Sequence, residues 1–279
     1  MDSFAISTPQ NGVLAALARA DWETEERNFQ PTWMPLGEVL YEPSRPASHI
    51  FFPTTAVVSI SSVMADGRAN ALTLVGHEGY AGIEAILGGD STQCRAVILS
   101  AGWGLQIKRE LLDQACLRHG SMRRQLLRYA QSYIAQVAQT TACNRHHAVD
   151  QQVSRWLLMF LDRYGSNELP LTHECVGDMM GVRRESVSQA ARALRAAGCI
   201  RNQRGRIFVV DRMGLEARSC ECYKIVKPEA DRPPQMSHGG RIAITRADAE
   251  CKRSRPKGHR GVNERDARQF LRPLSGVLS

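Results

Sequence analysis

The apolar positions change period twice along this chain. Between residues 36 and 108 they come as short runs, at 39–41, 50–52, 57–63, 70–75, 95–99 and 104–107. Turn residues separate the runs: Pro43 and Pro46, Asp66-Gly67, the glycines from Gly76 to Gly82, Gly88-Gly89 and Ala101-Gly102. Many short strands at near-regular spacing predict a small β-barrel or roll. From 121 to 146 the period becomes helical, with Met122, Leu126, Tyr129, Tyr133, Val137 and Thr140 at three- and four-residue steps. Such a stripe can pack on its own domain or on a second copy of itself. A further helix over 149–164 carries Val153, Trp156, Leu157 and Phe160, and Gly165 ends it. Ahead of the strands, 12–19 reads as a short helix through Val13, Leu14 and Leu17, and the acidic 20–27 as a second.

The segment 171–194 holds the most specific pattern. Thr172 is an N-cap candidate with Glu174 in the first turn, where an acid suits the helix dipole. Val176, Met179 and Met180 form its apolar face, and Gly181 supplies the positive φ of a tight helix-to-helix turn. In the second helix Val187, Ala191 and Leu194 make the core stripe, which turns Arg184, Glu185, Ser188 and Gln189 outward. Arg reads guanine, Gln reads adenine and Glu accepts from the cytosine amino group, so this face has groove-reading chemistry. Gly198 closes the helix. Ile200, a polar turn at Gly205 and the apolar run 207–210 then predict a β-hairpin carrying Arg201, Arg204 and Arg206, whose charges suit phosphate. Two helices followed by a basic hairpin make a winged helix-turn-helix.

Residues 171–210 resemble the DNA-binding domain of the Crp/Fnr family of bacterial transcription regulators. The pattern carrying the resemblance is Leu171-Thr172, Gly177, Gly181, Arg184-Glu185-Ser186-Val187, then a helix, a glycine and a basic hairpin. The resemblance implies that Arg184, Glu185 and Gln189 read the major groove, with Arg183, Ser186, Ser188, Arg204 and Arg206 completing the DNA-binding set. Two departures stand out. Gln189 replaces a frequent Arg, which changes the base preference there. Arg183 replaces the frequent Ser or Thr N-cap, losing a cap worth roughly 0.5–2 kcal/mol while adding a positive group. The resemblance further implies a cyclic-nucleotide-binding-type β-roll over the strand region, suggested by Gly37-Glu38-Val39 and Gly79-Tyr80-Ala81-Gly82. It also makes 121–146 a dimerisation helix. Its partners would be double-stranded DNA, a second copy of the chain and RNA polymerase.

Charge and cysteine usage sharpen this. The chain has 279 residues and a formal net charge of +8, long enough for two domains and suited to a nucleic-acid partner. No run of eighteen apolar residues is present, so no transmembrane helix and no membrane partner are expected. The first residues carry an acid and no basic stretch, unlike a secretory signal, so a cytoplasmic location is expected. No two of the eight cysteines have Cys-x2-Cys spacing, and the Cys220-x-Cys222 pair has no matching partner pair. Reduced, mostly buried thiols are expected, with no metal and no other cofactor. An iron–sulfur group near the N-terminus, known for some members of the resembled family, does not carry over, because no cysteine precedes Cys94.

A cyclic-nucleotide pocket needs a carboxylate for the ribose and an Arg followed by Ser or Thr for the phosphate. Glu84 is the carboxylate candidate. Arg95 stands near the expected arginine but is followed by Ala96 and itself falls in a strand run. Glu84 and Arg95 are therefore the effector-site candidates, with the effector unknown: a cyclic nucleotide, another small molecule, or none. No P-loop, Gly-x-Ser-x-Gly elbow or His-Glu-x2-His is present, and the chain is not read as an enzyme. The expected organisation is α+β: a helical segment 1–35, a jelly-roll-like β-roll sensor 36–120, a dimerisation helix 121–147, a winged helix-turn-helix 148–218 and a basic, disordered tail 219–279. In that tail, from Pro228 on, eleven Arg or Lys face six Asp or Glu. The competing reading is a ligand-sensing or scaffold protein whose winged helix binds a protein partner.

Overall fold

A computed structural model describes residues 10–227 except Asp66, Asp90 and Arg204. The basic run beyond Pro228 lies outside the described residues. The chain opens with two short helices, α1 (Gly12–Ala15) and α2 (Arg19–Glu25). Strands β1 (Gln30–Met34), β2 (Val39–Tyr41), β3 (His49–Pro53), β4 (Val57–Val63) and β5 (Ala69–Val75) follow. After helix α3 (Ile83–Ile86) come β6 (Cys94–Ser100) and β7 (Gly102–Lys108). They form two antiparallel sheets, in orders β1-β7-β3 and β2-β6-β4-β5. All six predicted strand runs are present. β1 went unpredicted because Pro31 breaks its apolar pattern. The two short helices expected over 12–19 and 20–27 are α1, with Asn11 Oδ1 accepting from the Val13 and Leu14 amides, and α2, which starts at Arg19.

The helical half begins with α4 (Arg109–Arg118), followed by the long α5 (Gly120–His146) and α6 (Val149–Tyr164). A short β8 (Glu168–Leu169) leads to α7 (His173–Met180), α8 (Arg184–Ala196), β9 (Ile200–Gln203) and β10 (Arg206–Val209), then α9 (Arg212–Arg218) and α10 (Cys222–Val226). β8 joins the hairpin to give a three-stranded sheet, β8-β10-β9. Residues 219–227, expected to belong to the tail, are part of the fold instead, because Cys222, Tyr223 and Val226 of α10 are buried. Tyr223 Oη donates to Asp162 Oδ2 at 2.8 Å and so ties α10 to α6.

Two apolar cores result. The first fills the β-roll with Ile50, Phe52, Ile60, Tyr80 and Ile98 and takes in Met122, Leu126, Tyr129 and Tyr133 from α5. This corrects one expectation. The apolar stripe of α5, read as a candidate seam between two copies, is buried against the chain's own β-roll. Tyr80 Oη donates to the Leu126 carbonyl at 2.9 Å, and Gly79 lets the Tyr129 ring lie so close that a Cβ there would sit 2.0 Å from it. The second core joins α6, α7, α8 and α10 through Trp156, Phe160, Met179, Val187, Leu194 and Tyr223. Val57, Ala71 and Leu74 of the β4–β5 face belong to it too, so the β-roll and the helix-turn-helix share buried surface. No helix among the described residues is long and apolar enough to cross a membrane.

Candidate nucleic-acid interface and effector pocket

The Thr172 Oγ1 accepts from the Cys175 amide at 3.1 Å and caps α7. Gly181, at φ +65°, ends it in the left-handed region, where glycine carries no Cβ penalty. α8 then starts at Arg183 with no side-chain cap, as the missing Ser or Thr predicts. Val187, Ala190, Ala191 and Leu194 turn inward. Arg183, Arg184, Glu185 and Gln189 are exposed on the opposite side, and Ser186 and Ser188 are half-buried. Arg192, one turn beyond Gln189, extends the exposed face. The same helical spacing predicts it, yet it was missed.

Two of the expected contact residues are engaged within the chain. Ser188 Oγ lies 3.1 Å from His173 Nδ1, and Asn202 Nδ2 lies 3.0 Å from His173 Nε2. Asn202 donates to Nε2 and Nδ1 donates to the serine, a pattern that requires the neutral ring. Burial, together with the neighbouring Arg184 guanidinium, holds the imidazole below its ordinary range. His173 thus ties α8 to the hairpin β9–β10, and Ser188 is a strut in that link. Arg206, read as a phosphate contact, forms an ion pair with Glu168 across the β8–β10 pair. Its charge faces that carboxylate until something stronger competes for it. Arg201 stacks on Phe208, with Cζ 5.0 Å from the ring centroid. Arg204 lies outside the described residues. Thr172, His173, Arg184, Asn202 and Arg206 line a cleft of about 370 Å³ between α8 and the wing.

In the β-roll the two effector candidates part company. Arg95, on β6, gives its Nε to Glu42 Oε2 at 2.8 Å, an ion pair across the β2–β6 edge. Glu84, on α3, accepts from Thr92 Oγ1 at 2.7 Å through Oε1, while its Oε2 is buried with no hydrogen-bond partner. The Tyr133 hydroxyl, from α5, is likewise buried without a partner. Burial, then the charges of Tyr41, Cys94 and Glu84, push the Tyr133 phenol well above its usual range. Glu84 thus keeps one carboxylate oxygen without a partner, while the Arg95 guanidinium is engaged by Glu42.

Residues 151–218 match the model of the Crp-like helix-turn-helix domain. The "CRP-like cAMP-activated global transcriptional regulator" of Mycobacterium tuberculosis is 22% identical over 200 residues, covering 69% of this chain and 89% of the relative. The structure of FixK2 from Bradyrhizobium japonicum superposes with a TM-score of 0.60 at 19% identity, covering 69% of this chain and 98% of FixK2. That of CLP, the c-di-GMP-responsive global regulator of Xanthomonas campestris, superposes at 0.58 with 14% identity, over 69% of this chain and 99% of CLP. Residues 151–218 are thus a Crp-like helix-turn-helix domain, and in fold the chain is similar to the regulators it superposes on. The stretch matching the Crp-like domain runs from α6 through α9. α10, with the cysteines at 220 and 222, lies at and beyond its end.

Proposed function

We propose that this chain is a sequence-specific DNA-binding regulator of the Crp/Fnr type that acts as a homodimer on double-stranded DNA. The observation carrying this reading is the exposed face of α8, where Arg184, Glu185, Gln189 and Arg192 stand clear of the core beside a basic wing. Arg184 is suited to guanine, Glu185 to the cytosine amino group and Gln189 to adenine. Arg183 and Arg206 act on phosphates, Arg206 after releasing Glu168, and contribute affinity without sequence information. Arg204 is assigned the same role from its sequence position. An apolar patch on this face would have favoured a protein partner, and none of its named residues is apolar.

The dimer seam is the side of α5 turned away from the β-roll. Leu127 and Ile134 are exposed there at 39% and 54%, seven residues apart, and Thr141 continues the seven-residue step. A heptad seam pairs two such helices and sets their recognition helices one DNA turn apart. The unpartnered Glu84 Oε2 and Tyr133 hydroxyl would receive a small polar effector, and with Arg95 bound to Glu42 a cyclic phosphate would lack its clamp. The chain works in the cytoplasm, has RNA polymerase as a further partner and catalyses no reaction. Enrichment of bound duplexes from a random DNA pool tests the reading. The wild-type chain should enrich a defined sequence, and Arg184→Ala and Glu185→Ala should each relax one position of it, costing roughly 1–3 kcal/mol on the preferred site. Unchanged selectivity in both variants would remove α8 as the reading element.

A further inference from the structure

Four metal-ligating side chains meet where the long helix ends. Cys143 and His147 stand four residues apart, at the last turn and C-cap of α5. Cys220 and Cys222 flank the turn between α9 and α10. One ligand atom from each of the four lies within 4.8 Å of the others. The Cys143 and Cys220 sulfurs are 3.5 Å apart, and Cys222 Sγ is 3.5 Å from His147 Nδ1. Zinc–sulfur bonds of about 2.3 Å in a tetrahedron place ligand atoms roughly 3.6–3.8 Å from one another. We propose that Cys143, His147, Cys220 and Cys222 form a structural Cys3His site for a single Zn2+ ion.

Three features around the site support it. His147 presents Nδ1 to the cysteines while its Nε2 lies 3.2 Å from Glu221 Oε1, so a carboxylate orients the ligating ring. Gln139 Nε2 donates to Cys222 Sγ at 3.0 Å, a bond that favours the thiolate. The third is Arg155. This arginine is fully buried in α6, and its Nη2 donates to Thr140 Oγ1 at 2.7 Å. Its Nε and Nη1 are buried without a hydrogen-bond partner, and no carboxylate pairs with it among the described residues. Burial disfavours its charge, and Cys143, Cys220 and Cys222 act in the opposite direction. As neutral thiols they leave a buried cation uncompensated, which is costly. As three thiolates around Zn2+ they carry a net charge of −1, which is the counter-charge Arg155 lacks. The donor set also selects the ion. Thiolate and imidazole in a closed four-ligand tetrahedron suit zinc, whereas magnesium and calcium seek oxygen. An iron–sulfur cluster spreads its ligands over several irons, while these four donors enclose room for one ion.

Cys143 and His147 lie just before the stretch that matches the Crp-like domain and Cys220 and Cys222 just after it, so the site fastens that domain's C-terminal end to the helix that leads back to the β-roll. Zinc loading then sets how firmly the reader is held on α5, a consequence that rests on the DNA-binding role proposed above. The site itself does not.

Elemental analysis and native mass spectrometry of the full chain, purified under reducing conditions without chelator, test the proposal. About one zinc per chain is expected. Cobalt loaded in its place should give tetrahedral ligand-field bands and thiolate charge-transfer absorption. Cys220→Ser with Cys222→Ser should abolish both signals, and Cys94→Ser with Cys175→Ser should leave them. Glu221→Ala is a second probe that keeps the test independent of the double variant's folding. It touches no ligand atom of the cysteines and should weaken zinc affinity about 10–100-fold while the circular dichroism spectrum is unchanged. The proposal is overturned by a zinc-free chain whose cobalt form lacks thiolate bands. A bound iron cluster would overturn it too, as would a Cys143–Cys220 disulfide in a chain that binds no zinc after reduction.

Discussion

Breaking the buried ion pair between Arg163 and Glu78 should loosen the helix-turn-helix from the β-roll. Arg163, near the end of α6, gives Nε to Glu78 Oε1 at 2.7 Å, and the two side chains are 1% and 7% exposed. The same guanidinium donates to the Met159 carbonyl at 2.9 Å and to Gln136 Oε1 of α5 at 3.4 Å. Gln136 in turn accepts from Thr73 Oγ1 of β5 at 2.5 Å. One charge therefore ties α6, α5 and the β-roll. Glu78→Leu leaves Arg163 buried and unpaired, which costs about 3–5 kcal/mol. At roughly 2–4 °C per kcal/mol for a unit of this size, the melting temperature should fall by about 6–20 °C. Glu78→Leu with Arg163→Met removes both charges and should recover most of the loss, since an apolar pair of similar volume is often neutral or better. Denaturant titration followed by tryptophan fluorescence, in a double-mutant cycle, reads both numbers. The reasoning fails if Glu78→Leu alone costs under about 1 kcal/mol, the value of an exposed pair, or if the double variant is no better than the single one.

Three further outcomes follow from named residues. Leu127→Glu with Ile134→Glu should yield folded monomers by light scattering, whereas Leu126→Ala should leave the dimer and lower stability by about 2–5 kcal/mol; the reverse pattern would move the seam back to the buried stripe. His173 titrates below the ordinary histidine value of 6.5, so the unfolded chain takes up its proton first as pH falls. Its contribution is therefore full above pH 6.5 and declines as pH falls through the folded value. The stability gap between wild type and His173→Gln should shrink on that acid side, and a gap that widens would contradict the neutral-ring assignment. Cyclic AMP should give no micromolar binding by calorimetry, because Arg95 is held by Glu42; tight binding would show that the ion pair opens to a phosphate.

The parts of this molecule legible in its sequence are those written in local periodicity. The six strand runs, the bounds of α6, the turn at Gly181 and the outward face of α8 follow from spacing alone. Contacts between distant segments were not legible. The stripe on α5 shows one apolar face, and periodicity does not say whether a β-roll or a second helix covers it. The engagement of Arg206 by Glu168, of Arg95 by Glu42 and of Ser188 by His173 joins residues far apart in sequence and carries no spacing signal. The same holds for the cysteines. Cys143 and His147 share a helix turn, but their partners Cys220 and Cys222 come from some seventy residues on, so spacing rules for paired cysteine motifs passed over them.

The most direct test of the central claim is a hydroxyl-radical footprint of the full chain on an enriched duplex. A homodimer that lays α8 in successive major grooves predicts protection with two-fold symmetry, its half-site centres about 34–36 Å or 10–10.5 base pairs apart. Leu127→Glu with Ile134→Glu should abolish or halve that pattern. A single asymmetric protected patch that is unchanged in this variant would contradict the account.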